Sequence, residues 1–478
     1  MSHALHLALD LRSFRGMVPR LDDTIVAIAT PAGEGALAIV RLSGKHALEI
    51  ADRLFTGRVS LSTVAGFTIH HGRARFPGGD EIDEVLASVF RGPRSFTGED
   101  SVEFSCHGGM LVTHLILDGA LAAGARRAEP GEFTRRAFLN GRMDLSQAEA
   151  VADLIAARTD KAVRASLNQL AGRLGTRIRA LKADLLDLCA SLEMDLDFSE
   201  EGIHIIAPEE VARRLSSVKT QLAEAAATFS GGRLLREGLS VPIVGKPNTG
   251  KSSLFNALLK ESRAIVTHIP GTTRDFLEES ISVSGILLRL IDTAGLRTPG
   301  DVVEAEGIRR TMDLVGRGDI ILVTEDVTSQ KSTPAILADL PPLGQFQKVV
   351  VARTKADLKP GLSAVPVMYH EAGVLVVEVS ALTGYGIREI EKALIDVVGI
   401  ERVGSESTLA VTNRRHWDAL QKGIQNLDSA LASLRAGSTN EFVAFDVREC
   451  TLALSSITGE VTTEDVLNHI FSRFCIGK

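Results

Sequence analysis

The sequence predicts a multidomain chain of mixed α/β and α+β class: an amino-terminal α+β domain, a helical domain in two pieces, and an α/β domain inserted between those pieces. Three observations predict it. At 478 residues the chain exceeds what one hydrophobic core serves, and roughly 150 residues per domain implies about three domains. Long helical periodicity begins at Asp144 and returns after Arg402. Between those blocks, apolar strands alternate with helices, the pattern of a parallel sheet covered on both faces.

Residues 1–22 read as a flexible extension. From Asp23 to Asn140, short β-rich runs ("TIVAIAT", "ALAIVRL", "VLASVF", "SVEFSC") separated by Gly- and Pro-rich loops, then the helical "LVTHLILDGALAAG", predict the α+β domain. The first helical part covers 141–236; Asp144 and Gln147 are spaced as a capping box. The inserted domain spans 237–400, with strands "LSVPIVG", "GILLRLID", "DIILVTE", "KVVVART" and "VLVVEVS". The second helical part, 401–478, ends in "FCIGK", and a cysteine so close to the end of the sequence asks for a reason.

Composition narrows the classes. With 45% hydrophobic and 24% charged residues the chain is neither disordered nor fibrous. Cys106, Cys189, Cys450 and Cys475 show no CxxC pair and no zinc spacing, so neither a disulfide framework nor a structural metal is indicated. No apolar run approaches the roughly 20 residues of a membrane span, and a cytoplasmic location without membrane contact is expected. A net charge of −7 argues against wholesale coating of nucleic acid. Seven basic residues between Arg158 and Lys182, against the single acid Asp160, read first as a solvated helix face and second as a contact for RNA phosphate.

"GKPNTGKS", Gly245 to Ser252, fits the phosphate loop G-x-x-x-x-G-K-[ST], and it follows a strand and opens a helix as that motif requires. Asn248, Thr249, Gly250, Lys251, Ser252 and Ser253 are therefore predicted at a nucleotide, with Lys251 neutralising the terminal phosphates and Ser252 binding Mg²⁺. "DTAG" places Asp292, Thr293, Ala294 and Gly295 after a second strand, where Asp292 would hold Mg²⁺ through its water shell. "THIPGTT", Thr267, His268, Ile269, Pro270, Gly271, Thr272 and Thr273, sits between the two at switch-loop spacing, with Thr273 as a further Mg²⁺ ligand. Guanine-binding proteins carry Asn-Lys-x-Asp after the next strand; here Thr354, Lys355, Ala356 and Asp357 stand there, so Asp357 would read the base while Thr354 puts a base-edge and loop-bracing contact in doubt. Ser380, Ala381 and Leu382 would offer backbone contacts to the base. The inserted domain thus reads as a Ras-like P-loop GTPase, except that Leu296 stands where Ras-type enzymes have a water-positioning Gln.

Together, "TIVAIATPAGEGALAIVRLSG", "SFTGED", "PGEFTRRAFLNGRMDLSQAEAVADLI", "GKPNTGKSSLFNALL", "IPGTTRD", "DTAGLR" and the terminal "FCIGK" resemble, in order, the MnmE (TrmE) family of bacterial tRNA modification GTPases, from about Asp23 to Lys478. The resemblance implies an amino-terminal folate-binding and dimerisation domain, a discontinuous helical domain and an inserted GTPase. It implies a homodimer that works with an MnmG-type FAD protein, in a heterotetramer or larger complex. Together they build a 5-carboxymethylaminomethyl or 5-aminomethyl group on the wobble uridine of tRNA. The one-carbon unit would come from a tetrahydrofolate derivative, in the 5,10-methylene or 5-formyl form.

The resemblance also implies activation by K⁺, held by Asn248, Thr267, Ile269 and Thr272, and a catalytic Glu304 that orients water in place of the missing Gln, with Glu306 close enough to compete for the assignment. It points to Arg41, Glu103, Arg142 and Lys478 for folate, Arg142 standing where the family commonly has Lys. Cys475 would fold back to that pocket and act in the one-carbon step. A ribosome-assembly or signalling switch of the same superclass is the competing reading, and it predicts an RNA-binding appendage after the GTPase domain. A membrane-acting GTPase is the third, and the sequence offers it no anchor.

Overall fold

The computed structural model describes residues 23–198, 205–261, 277–292, 313–329, 332–338, 340, 342–344, 347–359, 366–399 and 411–478. Their contacts divide into two compact units, one from residues up to Ala152 together with Thr458–Lys478, the other from Asp153–Ile457.

In the first unit, β1 (Ile25–Ile28), β2 (Gly35–Ser43), β3 (Phe55–Gly57), β4 (Thr68–Arg75), β5 (Glu81–Phe90), β6 (Ser101–Gly108) and β7 (Arg126–Arg127) form one sheet in the order β3-β4-β5-β6-β2-β1-β7. All neighbours are antiparallel except β1 and β7. Alternation along the strands decides which face is covered. Ala38, Val40 and Leu42 of β2 and Val102, Phe104 and Cys106 of β6 are buried in a core shared with α1 (Ala47–Leu54) and α2 (Met110–Ala122). The alternate residues face the other way, and the β2–β6 register sets Arg41 directly opposite Glu103 there.

The unit continues through α3 (Glu132–Leu139) and the start of α4 (Leu145–Ala156), whose residues from Asp153 are counted with the second unit. At the start of α4 the Gln147 amide donates to Asp144 Oδ1 at 3.0 Å and the Asp144 amide to Gln147 Oε1 at 2.9 Å, closing the capping box that the spacing predicts. The end of the chain belongs to this unit. Gly131 opens α3 with φ 70°, and a Cβ there would stand 2.6 Å from the Phe471 carbonyl, so glycine lets the terminal residues lie against the helix start. Residues from Thr458 onward are counted with this unit, where α3 receives them.

The second unit holds α5 (Asp160–Leu170), α6 (Arg173–Phe198), α7 (Pro208–Ala227), α8 (Phe229–Glu237), α12 (Arg414–Arg435) and α13 (Asn440–Thr458, its last residue counted with the first unit). The apolar faces of α6, α7, α8, α12 and α13 share a leucine-rich core that includes Leu185, Leu188, Leu215, Leu222, Leu420, Leu427 and Leu454. The unit also holds a second sheet of β8 (Leu239–Val244), β9 (Leu277–Val283), β10 (Ile286–Asp292), β11 (Ile320–Asp326), β12 (Lys348–Thr354), β13 (Met368–Glu371) and β14 (Val374–Glu378), in the order β13-β14-β12-β11-β8-β10-β9. β10, β8, β11, β12 and β14 are parallel, the five strands expected from sequence. The antiparallel edges β9 and β13 were not expected; each turns on a two-residue loop with positive φ, Ser284-Gly285 and Ala372-Gly373. Helices α9 (Lys251–Glu261) and α10 (Thr333–Leu337) connect strands, and α11 (Ile387–Asp396) follows β14. Among the described residues, no helix is long and apolar enough to cross a membrane.

Candidate nucleotide and tail sites

Every described nucleotide residue lies at the carboxyl end of a parallel strand, where open α/β sheets hold ligands. β8 runs into the loop Gly245–Gly250, which opens α9. A Cβ on Gly245 would come within 2.3 Å of Thr324 Oγ1 and 2.5 Å of the Thr324 carbonyl, so only glycine lets the loop pass this close to β11. Asn248 (φ 65°) and Gly250 (φ 85°) complete the turn. Lys251 Nζ donates to the Gly245 and Lys246 carbonyls at 2.8 and 2.7 Å, which keeps the ammonium on the loop itself.

Ser252 Oγ donates to Asp292 Oδ2 at 2.9 Å, bringing together a hydroxyl from the first turn of α9 and a buried carboxylate from the end of β10. A hydroxyl ligand and a carboxylate that reaches the ion's water shell, both on rigid elements, fit a Mg²⁺ ion that is shared with phosphates. On the base side, Asp357 accepts from Ser380 Oγ at 2.5 Å, and Lys355 (φ 57°) pairs with Asp326 at 2.6 Å. Burial opposes ionisation of Asp326, but the Lys355 bond prevails and its pKa is lowered. Ser380 is fully buried, Ala381 half-buried and Leu382 exposed. Thr354 braces the loop by donating to the Thr249 carbonyl at 2.6 Å, the contact its substitution for Asn had put in doubt. Thr267, His268, Ile269, Pro270, Gly271, Thr272, Thr273, Thr293, Ala294, Gly295 and Glu304 lie outside the described residues.

In the first unit, three of the residues predicted for folate, Arg41, Glu103 and Lys478, gather around the chain end, and Arg142 is held apart at the Ser95 carbonyl. Arg41 Nε donates to Glu103 Oε1 at 2.7 Å, its Nη1 donates to the Gly477 carbonyl at 3.4 Å, and its guanidinium lies 5.6 Å from the ring centroids of Phe96 and Phe133. Arg142 Nε donates to the Ser95 carbonyl at 3.1 Å. The tail is held by its backbone: the Phe133 amide donates to the Lys478 carbonyl at 3.1 Å and the Gly131 amide to the Cys475 carbonyl at 3.4 Å. Gly477 (φ 96°) is required, since a Cβ would stand 2.5 Å from the Ile28 carbonyl. Burial first, and the Arg41 charge second, lower the pKa of the Lys478 ammonium, with Glu103 and Cys475 acting in the opposite sense.

Cys475 is the exposed thiol; Cys106, Cys189 and Cys450 are buried, and burial pushes Cys106 up to about 11 and Cys450 up to about 12. A carboxylate, a guanidinium group and two aromatic faces suit a flat heteroaromatic ring with polar edges. Sequence reasoning passed over Phe96, Phe133 and Thr324. The two aromatics sit inside the quoted "SFTGED" and "PGEFTRR" runs, whereas Thr324 ends an apolar strand and gives no local signal.

Comparison with known proteins agrees with this layout. The family profile described as "GTP-binding protein TrmE N-terminus" matches residues 24–142, and that described as "MnmE helical domain" matches residues 145–475. The chain is 44% identical over 464 residues to the tRNA modification GTPase MnmE of Syntrophus aciditrophicus, covering 96% of this chain and 100% of that one. Against the protein of the same description from Alkaliphilus metalliredigens it is 42% identical over 461 residues, with 96% and 100% covered. Against that of Chlorobium luteolum it is 43% identical over 469 residues, with 96% and 98% covered.

Proposed function

This chain belongs to the MnmE (TrmE) family of tRNA modification GTPases, a GTP hydrolase acting in tRNA modification, and on that premise we propose that its hydrolysis is K⁺-activated and Mg²⁺-dependent and serves folate-dependent building of the wobble-uridine side chain. Working as a homodimer with an FAD-containing partner, it forms 5-carboxymethylaminomethyl or 5-aminomethyl groups. Ser252 and Thr273 would hold Mg²⁺, with Asp292 acting through its water shell, and Asn248 would hold K⁺ with Thr267, Ile269 and Thr272. These cations and Lys251 supply the positive charge that phosphoryl transfer requires. Glu304 orients the attacking water.

The folate derivative supplies the one-carbon unit. Arg41, Glu103, Arg142 and Lys478 bind and orient it, and Cys475 stands beside it. The observation that supports this reading is the docking of the tail on Arg41, 436 residues before Gly477 in the chain, which brings Lys478 and the exposed Cys475 to the Arg41–Glu103 cross-strand ion pair.

Nucleoside mass spectrometry of tRNA tests it, using cells that lack the chain and are complemented with wild type or Cys475→Ser. The expected result is restored wobble-uridine modification with wild type and loss with Cys475→Ser, while both proteins hydrolyse GTP. Full modification by the variant would remove the thiol from the chemistry. Failure of wild type beside a compatible partner would overturn the folate-dependent reading.

A further inference from the structure

The strand that leads to the base ends in Thr354, and the proton of its hydroxyl is taken by backbone carbonyls. Thr354 is buried beneath the phosphate loop; a Cβ on Gly250 would lie 3.6 Å from its Oγ1. That oxygen is 2.6 Å from the Thr249 carbonyl and 3.2 Å from the Glu325 carbonyl. A threonine hydroxyl carries one proton, and the shorter contact takes it.

Two more buried threonines extend the connection. Thr249 Oγ1 and Thr324 Oγ1 are 2.8 Å apart, Thr249 Oγ1 lies 2.9 Å from the Lys246 carbonyl, and Thr324 Oγ1 lies 3.2 Å from the Val244 carbonyl. Whichever way the shared proton points, the hydroxyls tie the phosphate loop to β11. Thr354 ties the same residue, Thr249, to the end of β12. The loop is therefore clasped from two strands at one point.

The clasp has a consequence at the base. Guanine presents N7 and O6 as acceptors on one edge, so a side chain that reads that edge must bring a donor. Thr354 has given its only donor to the loop. Asp357, held by Ser380, is an acceptor and answers the guanine N–H groups instead. An asparagine at 354 would carry two donors and an acceptor, enough to keep the Thr249 bond and reach the base as well.

We propose that Thr354 is a positioning residue for the phosphate site and not a reader of the base, so that the chain holds guanine nucleotides through a braced phosphate loop and through Asp357 while its N7 and O6 edge goes unread by residue 354. The inference rests on the GTPase assignment alone. It concerns nucleotide binding, and its outcome is separate from that of the one-carbon chemistry.

The test uses the full-length protein, titrated with a fluorescent N-methylanthraniloyl GDP and challenged in competition with magnesium tripolyphosphate, a probe that has phosphates and no base. Thr354→Val leaves the Thr249 carbonyl without its donor and is expected to weaken both ligands by a similar factor, about tenfold. Thr354→Ser, which keeps the hydroxyl, is expected to restore both to within about twofold. Thr354→Asn is expected to tighten GDP by about three- to tenfold and to leave tripolyphosphate within about twofold. Weakening of GDP but not of tripolyphosphate by Thr354→Val would make the residue a base reader and overturn the proposal. So would a Thr354→Val defect that serine does not repair, which would assign the role to methyl packing, or an asparagine variant that binds GDP no tighter than wild type.

Discussion

The two seven-stranded sheets place function differently, and the difference follows from how each is covered. The amino-terminal sheet is antiparallel but for one pair, and α1 and α2 pack on a single face. Polar residues therefore alternate with core residues along its strands, and Arg41 and Glu103 face each other in mid-strand on the other side. In the inserted sheet, β8 is buried at every position and β11 at all but its last. A strand buried on both faces has no room for a site in its middle, so Ser252, Asp292, Thr354, Asp357 and Ser380 all lie where strands end. An antiparallel sheet whose second face receives only α3 and the chain end carries a site in mid-strand beneath them; a parallel sheet carries one at its rim.

The largest effect is expected at the rim. Lys251→Ala removes the cation that the loop carbonyls hold at 2.7 and 2.8 Å. Loss of a preorganised group that stabilises developing charge typically costs about 10²–10³-fold in turnover, and phosphate-release assays should show a fall of that size. Hydrolysis within tenfold of wild type would mean that Lys251 does not face the transferred phosphate. The rim would then owe its chemistry to residues outside the phosphate loop.

At the sheet face a backbone position decides. Gly477→Ala combines a φ of 96° with a Cβ 2.5 Å from the Ile28 carbonyl. Forcing an L-residue into such a position costs on the order of 1–3 kcal/mol, so the tail should leave its seat against Gly131, Phe133 and Arg41. Hydrogen exchange of the amides of residues 475–478 should quicken about tenfold or more. Unchanged exchange would show that the tail tolerates the side chain, and that Arg41 and Glu103 do not depend on it for their setting.

The same contrast explains what was legible in the sequence. The rim is built from short contiguous strings, because a tight turn that leads into a helix needs its glycines, lysine and serine at fixed offsets; Gly245, Lys251, Ser252 and Asp292 could be read directly. The face site joins Arg41, Glu103 and Gly477, residues 62 and 436 positions apart. No periodicity brings such residues together, and only resemblance to a family pointed to them. The edge strands β9 and β13 escaped because Ser-Gly and Ala-Gly turn as tightly as the more recognisable Asn-Gly. Thr324 escaped because a threonine in "IILVTED" reads as an ordinary strand former; its use appears only when the phosphate loop passes over it.

The smallest expected effect separates the two units in acid. In the first, Arg136 is 1% exposed and pairs with Asp23, Glu99 and Glu132, while Arg126 pairs with Asp23 and Glu132. Burial opposes ionisation of Asp23 and Glu132, yet the hydrogen bonds and charges of Arg126 and Arg136 outweigh it and hold both carboxyls below their ordinary values of 3.8 and 4.5. A carboxyl whose pKa is depressed by folding stabilises the fold above its ordinary value. That stabilisation is lost as pH falls below the ordinary value and through the folded one. Protonation also leaves the buried guanidinium without its partners, which is costlier than losing an exposed pair. In the second unit the depressed carboxyls Glu193, Glu210 and Asp326 are paired with Arg448, Arg213 and Lys355, all far more exposed than Arg136. The single tryptophan, Trp417, stacks on Phe229 in that second unit at 5.5 Å and reports on it alone. As pH is lowered below about 4.5, hydrogen exchange in β1 and α3 should therefore accelerate before Trp417 emission changes. Coincident transitions would mean that the units unfold as one, and a tryptophan change that comes first would assign the acid-sensitive charges to the second unit.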